Sequence, residues 1–400
     1  MKLSTKSIVA LAALVISLAA AAWYLLPQYL AKRELATLGI SYSDHAFVES
    51  ACGNNKRATL LFIKAGMSVN AKNDENVTAL HCAAQTGDTD LLHRLIEKKA
   101  DVNAGDLQFT RPLHAAVLAG KIQSVQVLLD AGANINAMTG NGSPLFLAAA
   151  AGDENISVLL LERGADIRLT DKWGGTALNA AMESGRSEAV IRLLIDKGAN
   201  PNSKSRMFTA LFAAARSPDL TRLLLSKGAN PNLKNDDGST PLHAAAHNKN
   251  NEVGVLLLNA GADIGTVAKG YGTPLHVAAG SGNVIMAEFL LSKGADVNSL
   301  NCCGNNSTPL HEAVAKTNPN DFAMIELLLE RGANVNAMSF VERTPLMEAR
   351  SSSLPVVQLL VDKGANVNSR GPNGGPSVLS WFKNRKSEAT NYLISKGARD

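Results

Sequence analysis

Apolar and polar positions alternate along this chain in short blocks of helical spacing. Between residues 240 and 263, Leu242, Ala245 and Ala246 form one small apolar stripe, and Val253, Leu256, Leu257 and Leu258 form a second. Spacings of three and four place each set on one face of a helix. A polar stretch, His247–Asn251, separates them, and turn residues Asn235, Asp236, Asp237 and Gly238 precede them. Thr240 suits an N-cap, and Pro241 suits the first helical position, where a missing N–H costs nothing. Gly261 suits a left-handed C-cap. The pattern predicts a short helix, a turn, a second helix, and an extended hairpin-like finger leading to the next pair.

The block recurs. Its first-helix Leu, or the residue standing for it, falls at Phe47, Leu80, Leu113, Leu145, Leu178, Leu211, Leu242, Leu275, Leu310, Leu346 and Leu379, in steps of 31 to 36 residues. The closing Gly keeps step from Gly66 to Gly397, with Lys99 substituting once. Departures from the period sit in turns. Arg216-Ser217-Pro218 marks a unit two residues short between its helices, Lys316–Asp321 one three residues long, and Cys302–Ser307 a connection two residues long. A period near 33 indicates stacked units that cannot bury their apolar faces alone.

The phrases Thr78-Ala79-Leu80-His81, Thr240-Pro241-Leu242-His243, Thr273-Pro274-Leu275-His276 and Thr308-Pro309-Leu310-His311, each followed by an Ala-rich stretch and later by Gly-Ala-Asn/Asp, carry a resemblance. The unit resembles the ankyrin repeat over residues 43–400, in about eleven copies. That resemblance implies an all-α solenoid, an ankyrin-repeat stack of antiparallel helix pairs with hairpin fingers. It also implies protein–protein binding as a class. In the family the phrase His hydrogen-bonds between hairpin and helix, a role that falls here to His81, His114, His243, His276 and His311. Phe146, Asn179, Phe212 and Met347 hold the His place elsewhere, and Arg111 replaces Thr. Those units are expected to be locally less stable. The first unit, Asp44–Asn70, lacks the phrase, and the last carries Lys383, Arg385 and Lys386, as terminal caps with a polar outer face would.

Residues 1–42 stand apart as a separate N-terminal segment and short linker. Ile8–Leu26 is nineteen residues long and apolar except for Ser17, with Lys2 and Lys6 before it and Pro27 after. Such a run can cross a hydrocarbon core of roughly 30 Å as a helix. Two readings stay open: a single-pass membrane anchor, or a secretory signal peptide cleaved near Ala22, leaving a secreted or periplasmic product. The run continues through Trp23-Tyr24-Leu25-Leu26, which favours the anchor. One helix over about residues 7–34, standing clear of the array, is predicted. Lys2 and Lys6 on one side face Lys32 and Arg33 on the other, so charge barely orients the segment. A short basic tail staying inside would place the array outside the cytoplasm.

Composition narrows the chemistry. A formal net charge of +4 over 400 residues is too small an excess to indicate nucleic acid. Cys52 and Cys82 lie on first helices of adjacent units but three positions out of step, and Cys302 and Cys303 are neighbours. No disulfide framework is expected from that arrangement, nor does it match a zinc spacing. The spacings of His, Asp, Cys and Ser outline no catalytic constellation, cofactor site or metal site, and there is no phosphate-binding loop.

The fingers carry the candidate contacts. Phe109, Trp173, Met207 with Phe208, Tyr271 and Phe340 place large apolar groups three to six residues before the phrase Leu, where the family typically has polar residues and Gly. Aromatic side chains so placed are frequent interface anchors. Lys172, Arg206, Lys269, Arg343 and Arg370 alternate with Asp106, Asp171, Asp236, Asp237 and Glu342, a mixed surface suited to protein. The chain reads as a non-catalytic scaffold, a monomeric array tethered to the membrane through Ile8–Leu26 or exported. It would bind a protein partner through its finger and concave face. The alternative is an accessory subunit of a membrane enzyme or transporter, whose N-terminal helix also contacts the partner.

Overall fold

The structure, a computed structural model, describes residues 5–205, 208–248, 251–301, 306–316, 322–340, 342–349, 354–371, 375–382 and 388–400. For residues 5–12 and 18–21 it describes the backbone alone. Lys383, Arg385, Lys386, Cys302 and Cys303 lie outside the described residues. The chain forms two compact units, Met1–Ala199 and Asn200–Asp400. The first holds α1 (Thr5–Thr37), α2 (Asp44–Cys52), α3 (Lys56–Lys64) and α4 (Ala79–Thr86), with Thr89–Glu97 completing the pair begun by α4. Three further pairs follow, begun by Pro112–Leu118, Pro144–Ala151 and Ala177–Ser184. Among its described residues the second holds six pairs, whose first helices are Ala210–Ala213, Pro241–His247, Pro274–Ser281, Pro309–Lys316, Pro345–Glu348 and Val378–Phe382. Within each unit, first helices pack on first helices of neighbouring pairs and second helices on second helices. Among the described residues there is no strand. Isolated antiparallel bridges, such as Lys72 to Thr78 and Ala268 to Gly272, close fingers instead.

The core is the repeated apolar stripe. Phe47 and every phrase Leu from Leu80 to Leu379 are buried, as are Leu95, Leu128, Leu160, Leu224, Leu257, Leu290 and Leu328 of the second helices. Burying one such side chain contributes about 1.5–3 kcal/mol. Each closing Gly turns the chain out of its second helix with φ between 83° and 94°. Lys99 does the same at φ 67°, a left-handed conformation that its Cβ disfavours.

Two sets of hydrogen bonds recur between neighbouring pairs within each unit. Asn70 Oδ1 accepts from Asp101 N at 2.8 Å while its Nδ2 donates to Lys99 O at 3.4 Å. Asn103 joins the next pair in the same way, through Asn134 N and Gly132 O. In the second unit Asn232 takes Asp263 N at 2.7 Å and gives to Gly261 O at 2.9 Å, and Asn336 repeats this with Asn366 and Gly364. The residue two places earlier holds each of these in place, Asp101 Oδ1 accepting from Asn103 N, Asn230 and Asn334 doing the same for Asn232 and Asn336, and Ser68 Oγ for Asn70.

The phrase His forms the second set, as the resemblance implied. The Thr240 amide donates to His243 Nδ1 at 3.1 Å, so that nitrogen is the acceptor and Nε2 carries the proton donated to Gly272 O of the next finger at 3.0 Å. His81, His114, His276 and His311 reach Thr110 O, Ala137 O, Ser307 O and Arg343 O likewise. Asn179 Oδ1 likewise accepts from Thr176 N, at 3.0 Å. Where Phe212 stands, Thr209 Oγ1 instead accepts from Phe212 N at 3.2 Å.

Two expectations are corrected. α1 does not stand clear of the array. Its last turns pack on α3, with Ala31 and Leu35 buried and Arg57 Nη2 held by Glu34 Oε1 at 2.6 Å. Tyr42 donates to Ala65 O and stacks on Phe62, with Lys32 over its ring. α1 thus packs where a preceding helix pair would sit on the first pair. The reading against a disulfide also fails, because Cys52 and Cys82 are joined, their Cα atoms 4.6 Å apart. Identical positions on stacked helices point the same way and cannot meet. Three residues turn a side chain by about 300°, so the offset aims one Cys at the other.

Burial of the phrase His dictates a pH dependence. Desolvation holds all five below their ordinary range, His114 and His243 dropping from 6.5 to about 4. The unfolded chain therefore takes up protons first as pH falls. The stability each neutral His confers is complete above pH 6.5 and declines below it, for His114 or His243 down to about pH 4 and by about 3 kcal/mol at about 1.4 kcal/mol per pH unit. Urea midpoints measured between pH 7.5 and 4.5 should fall steadily below pH 6.5. His243→Asn, which copies Asn179, should make that fall shallower. A flat profile would contradict the His assignment.

Candidate functional site

The fingers are built by side chains folding back on their own backbone. Asp106 Oδ1 accepts from Gln108 N and Thr110 N at 2.8 and 2.7 Å, and Phe109 N donates to Asp106 O. This tight turn forces Phe109 to φ 61°, the position where the corresponding fingers place Gly174 and Gly238. A left-handed aromatic residue is uncommon, and this one is 73% exposed. Its ring therefore offsets none of the backbone strain by burial.

Trp173 sits in the finger closed by Asp171, whose Oδ1 accepts from Trp173 N and Gly175 N. Its ring is half exposed, with Lys172 Nζ 4.2 Å above the centroid. Tyr271 is exposed between Gly270 and Gly272, and Phe340 is 73% exposed. Phe208 is half-buried, its carbonyl accepting from Ser205 N. Met207 lies outside the described residues. The structure brings Phe208 and Tyr271 to one cavity and leaves Phe109, Trp173 and Phe340 on fingers of their own. Exposed Leu107, Met138, Leu300 and Met338 extend the apolar character of the fingers. Met138, Leu300 and Met338 share one place, directly after the Asn-Ala or Asn-Ser step, and that shared offset was the signal that could have found them.

The cavity holding Phe208 and Tyr271 is about 520 Å³ in volume and lies within the second unit. Phe212, Arg216, His247 and Val277 also line it. It opens where the unit is two residues short. The first helix there is only Ala210–Ala213, tightening into a 3₁₀ turn over Ala214–Arg216, whereas the next two first helices are Pro241–His247 and Pro274–Ser281. Phe212, in the His place, is released from the inter-finger bond and lies in the cavity wall.

Among the described residues, no group of three or more His, Cys, Asp or Glu is placed to hold a metal ion. Both ring nitrogens of each phrase His are committed to structural bonds with backbone atoms.

Paired helices, projecting fingers and inter-pair bonds define a repeat protein. Residues 47–139, 145–235, 211–301 and 297–371 match the family described as Ankyrin repeats (3 copies), and the chain belongs to that ankyrin-repeat family. Similar proteins include neurogenic locus notch homolog protein 1 of Homo sapiens, 34% identical over 157 residues, 38% of this chain and 6% of that protein. Nuclear factor NF-kappa-B p105 subunit of Gallus gallus is 30% identical over 216 residues, 50% of this chain and 22% of that protein. The chain thus covers only a small part of these relatives' lengths. Membership in the family makes protein–protein recognition the general function of this array.

Proposed function

We propose that the chain is a non-catalytic scaffold, held at a membrane by α1, whose finger and concave face grips a protein partner. Phe109 carries this reading. An exposed aromatic ring on a left-handed backbone contributes little to folding, and strain of that kind concentrates where a surface is used. Trp173, Tyr271 and Phe340 present rings on other fingers.

The membrane part rests on α1, which is long and apolar enough to cross a bilayer. Leu14, Val15, Ile16, Trp23, Tyr24, Leu25 and Leu26 all face outward. Cleavage near Ala22 would leave Trp23–Leu26 exposed at a new N-terminus, which favours the uncleaved anchor. The Cys52–Cys82 bond favours an array outside the cytoplasm, since such bonds persist in oxidising compartments.

A photocrosslinker at Phe109 or Trp173 in native membranes should capture one discrete partner, whereas the same group at Glu162, on a second helix, should not. Trp173→Ala should weaken the captured complex by about 2 kcal/mol with little change in unfolding. Phe109→Gly should weaken it while raising stability by about 1 kcal/mol. Equal capture from Glu162 would sink the finger reading. For the anchor and its orientation, protein from those membranes, alkylated without reduction, should retain residues 1–22 and leave Cys52 and Cys82 unmodified. Alkylated Cys52 and Cys82 would place the array in a reducing compartment.

A further inference from the structure

The cavity at the short repeat is one half of a longer groove. A second cavity, about 270 Å³, adjoins it and shares His247, Tyr271 and Val277 as the dividing wall. The first is lined by Phe212 and Ala213 of the truncated first helix and the second by residues of the following first helices, Gly280 and Glu312 among them. Both lie within the second unit.

The form of the groove selects its occupant. Two chambers in series, the first walled by Phe208 and Phe212 and both by Tyr271 and Val277, call for a chain that sends side chains into each. Neighbouring first helices pack about 8–10 Å apart, which sets the spacing of the chambers. A polyproline-II chain returns every third side chain to the same face after about 9 Å. A β-strand returns every second one after about 7 Å, and strand addition needs a sheet edge, whereas no strand occurs among the described residues. A polyproline-II backbone makes no internal hydrogen bonds, so its carbonyls need donors. Exposed Arg216, His247 and Tyr271 supply them from the groove lining. Arg216 Nε is anchored on Asn248 Oδ1 at 3.3 Å, which leaves its terminal nitrogens to meet a carboxylate at the first chamber, while Asp237 of the same lining is held on Ser239 N at 2.7 Å.

We propose that this groove binds a polyproline-II segment of a protein partner, with large apolar side chains three residues apart filling the two chambers and an acidic residue beside the first meeting Arg216. The proposal deepens the protein-recognition reading and rests on it, but it concerns residues separate from the Phe109 and Trp173 fingers.

The test uses the full chain in detergent micelles and labelled peptides of the form Asp-X-Pro-Pro-X-Pro, with X as Leu, Ile or Phe. At least one should bind saturably, and moving the X residues to two apart should weaken it tenfold or more. Tyr271→Ala, at an exposed position, should weaken it tenfold or more as well. Replacing Asp by Lys in the peptide should weaken binding to the wild type and strengthen binding to Arg216→Glu. Phe109→Gly should bind the peptide as the wild type does, so failure of the finger reading and failure of the groove are read separately. No saturable binding, indifference to spacing, indifference to Tyr271→Ala, or a helical circular-dichroism signal from the bound peptide would overturn the assignment.

Discussion

Each helix pair in this chain is too small to bury its own apolar face, and everything else in the structure depends on how neighbouring pairs relieve that shortage. Leu257 and Leu242 are fully buried because adjoining pairs cover them. The polar bonds between pairs then fix the spacing at which the covering occurs. Asn232, after one pair, spans to Gly261 and Asp263 after the next, and His243 of that next pair spans to Gly272 of the finger that follows it, so the two bonds act at successive steps of the stack. Such bonds contribute about 1 kcal/mol each in net terms, but leaving a buried partner unmet costs more. Stability of this kind is carried between nearest neighbours.

The same constraint explains the N-terminus. A first pair without a predecessor must cover its outward apolar side, and the last turns of α1 do this through Ala31 and Leu35. The helix proposed as the membrane anchor is therefore also the cap of the array. Its apolar run passes into the packed turns without a break in the helix, since Pro27 lies inside α1.

Much of this was legible in the sequence because the repeat makes each position predictable from the others. Register, closing Gly residues, phrase His and family membership all followed from spacing and residue type. The packing of Leu35 was hidden because α1 occurs once and follows no repeat. The Cys52–Cys82 bond was hidden because equal repeat positions suggested contact, when the stacking direction requires an offset. At the candidate site, the finger positions of Phe109, Trp173, Tyr271 and Phe340 could be read directly. The left-handed backbone of Phe109 could have been inferred from Gly174 and Gly238 at the same place. The groove could not, because it arises from a shortened helix and three aromatic walls contributed by separate fingers and helices. The sequence showed only that the unit was two residues short.

The dependence of each pair on its neighbour can be measured by hydrogen exchange of the full chain carrying Asn232→Ala. The account predicts faster exchange in the pair that precedes Asn232 and in the pair joined to it through Gly261, with pairs beyond Pro309 unchanged. Faster exchange confined to the loop around Asn232 would contradict it, because the bond would then be a local turn and not the link between pairs.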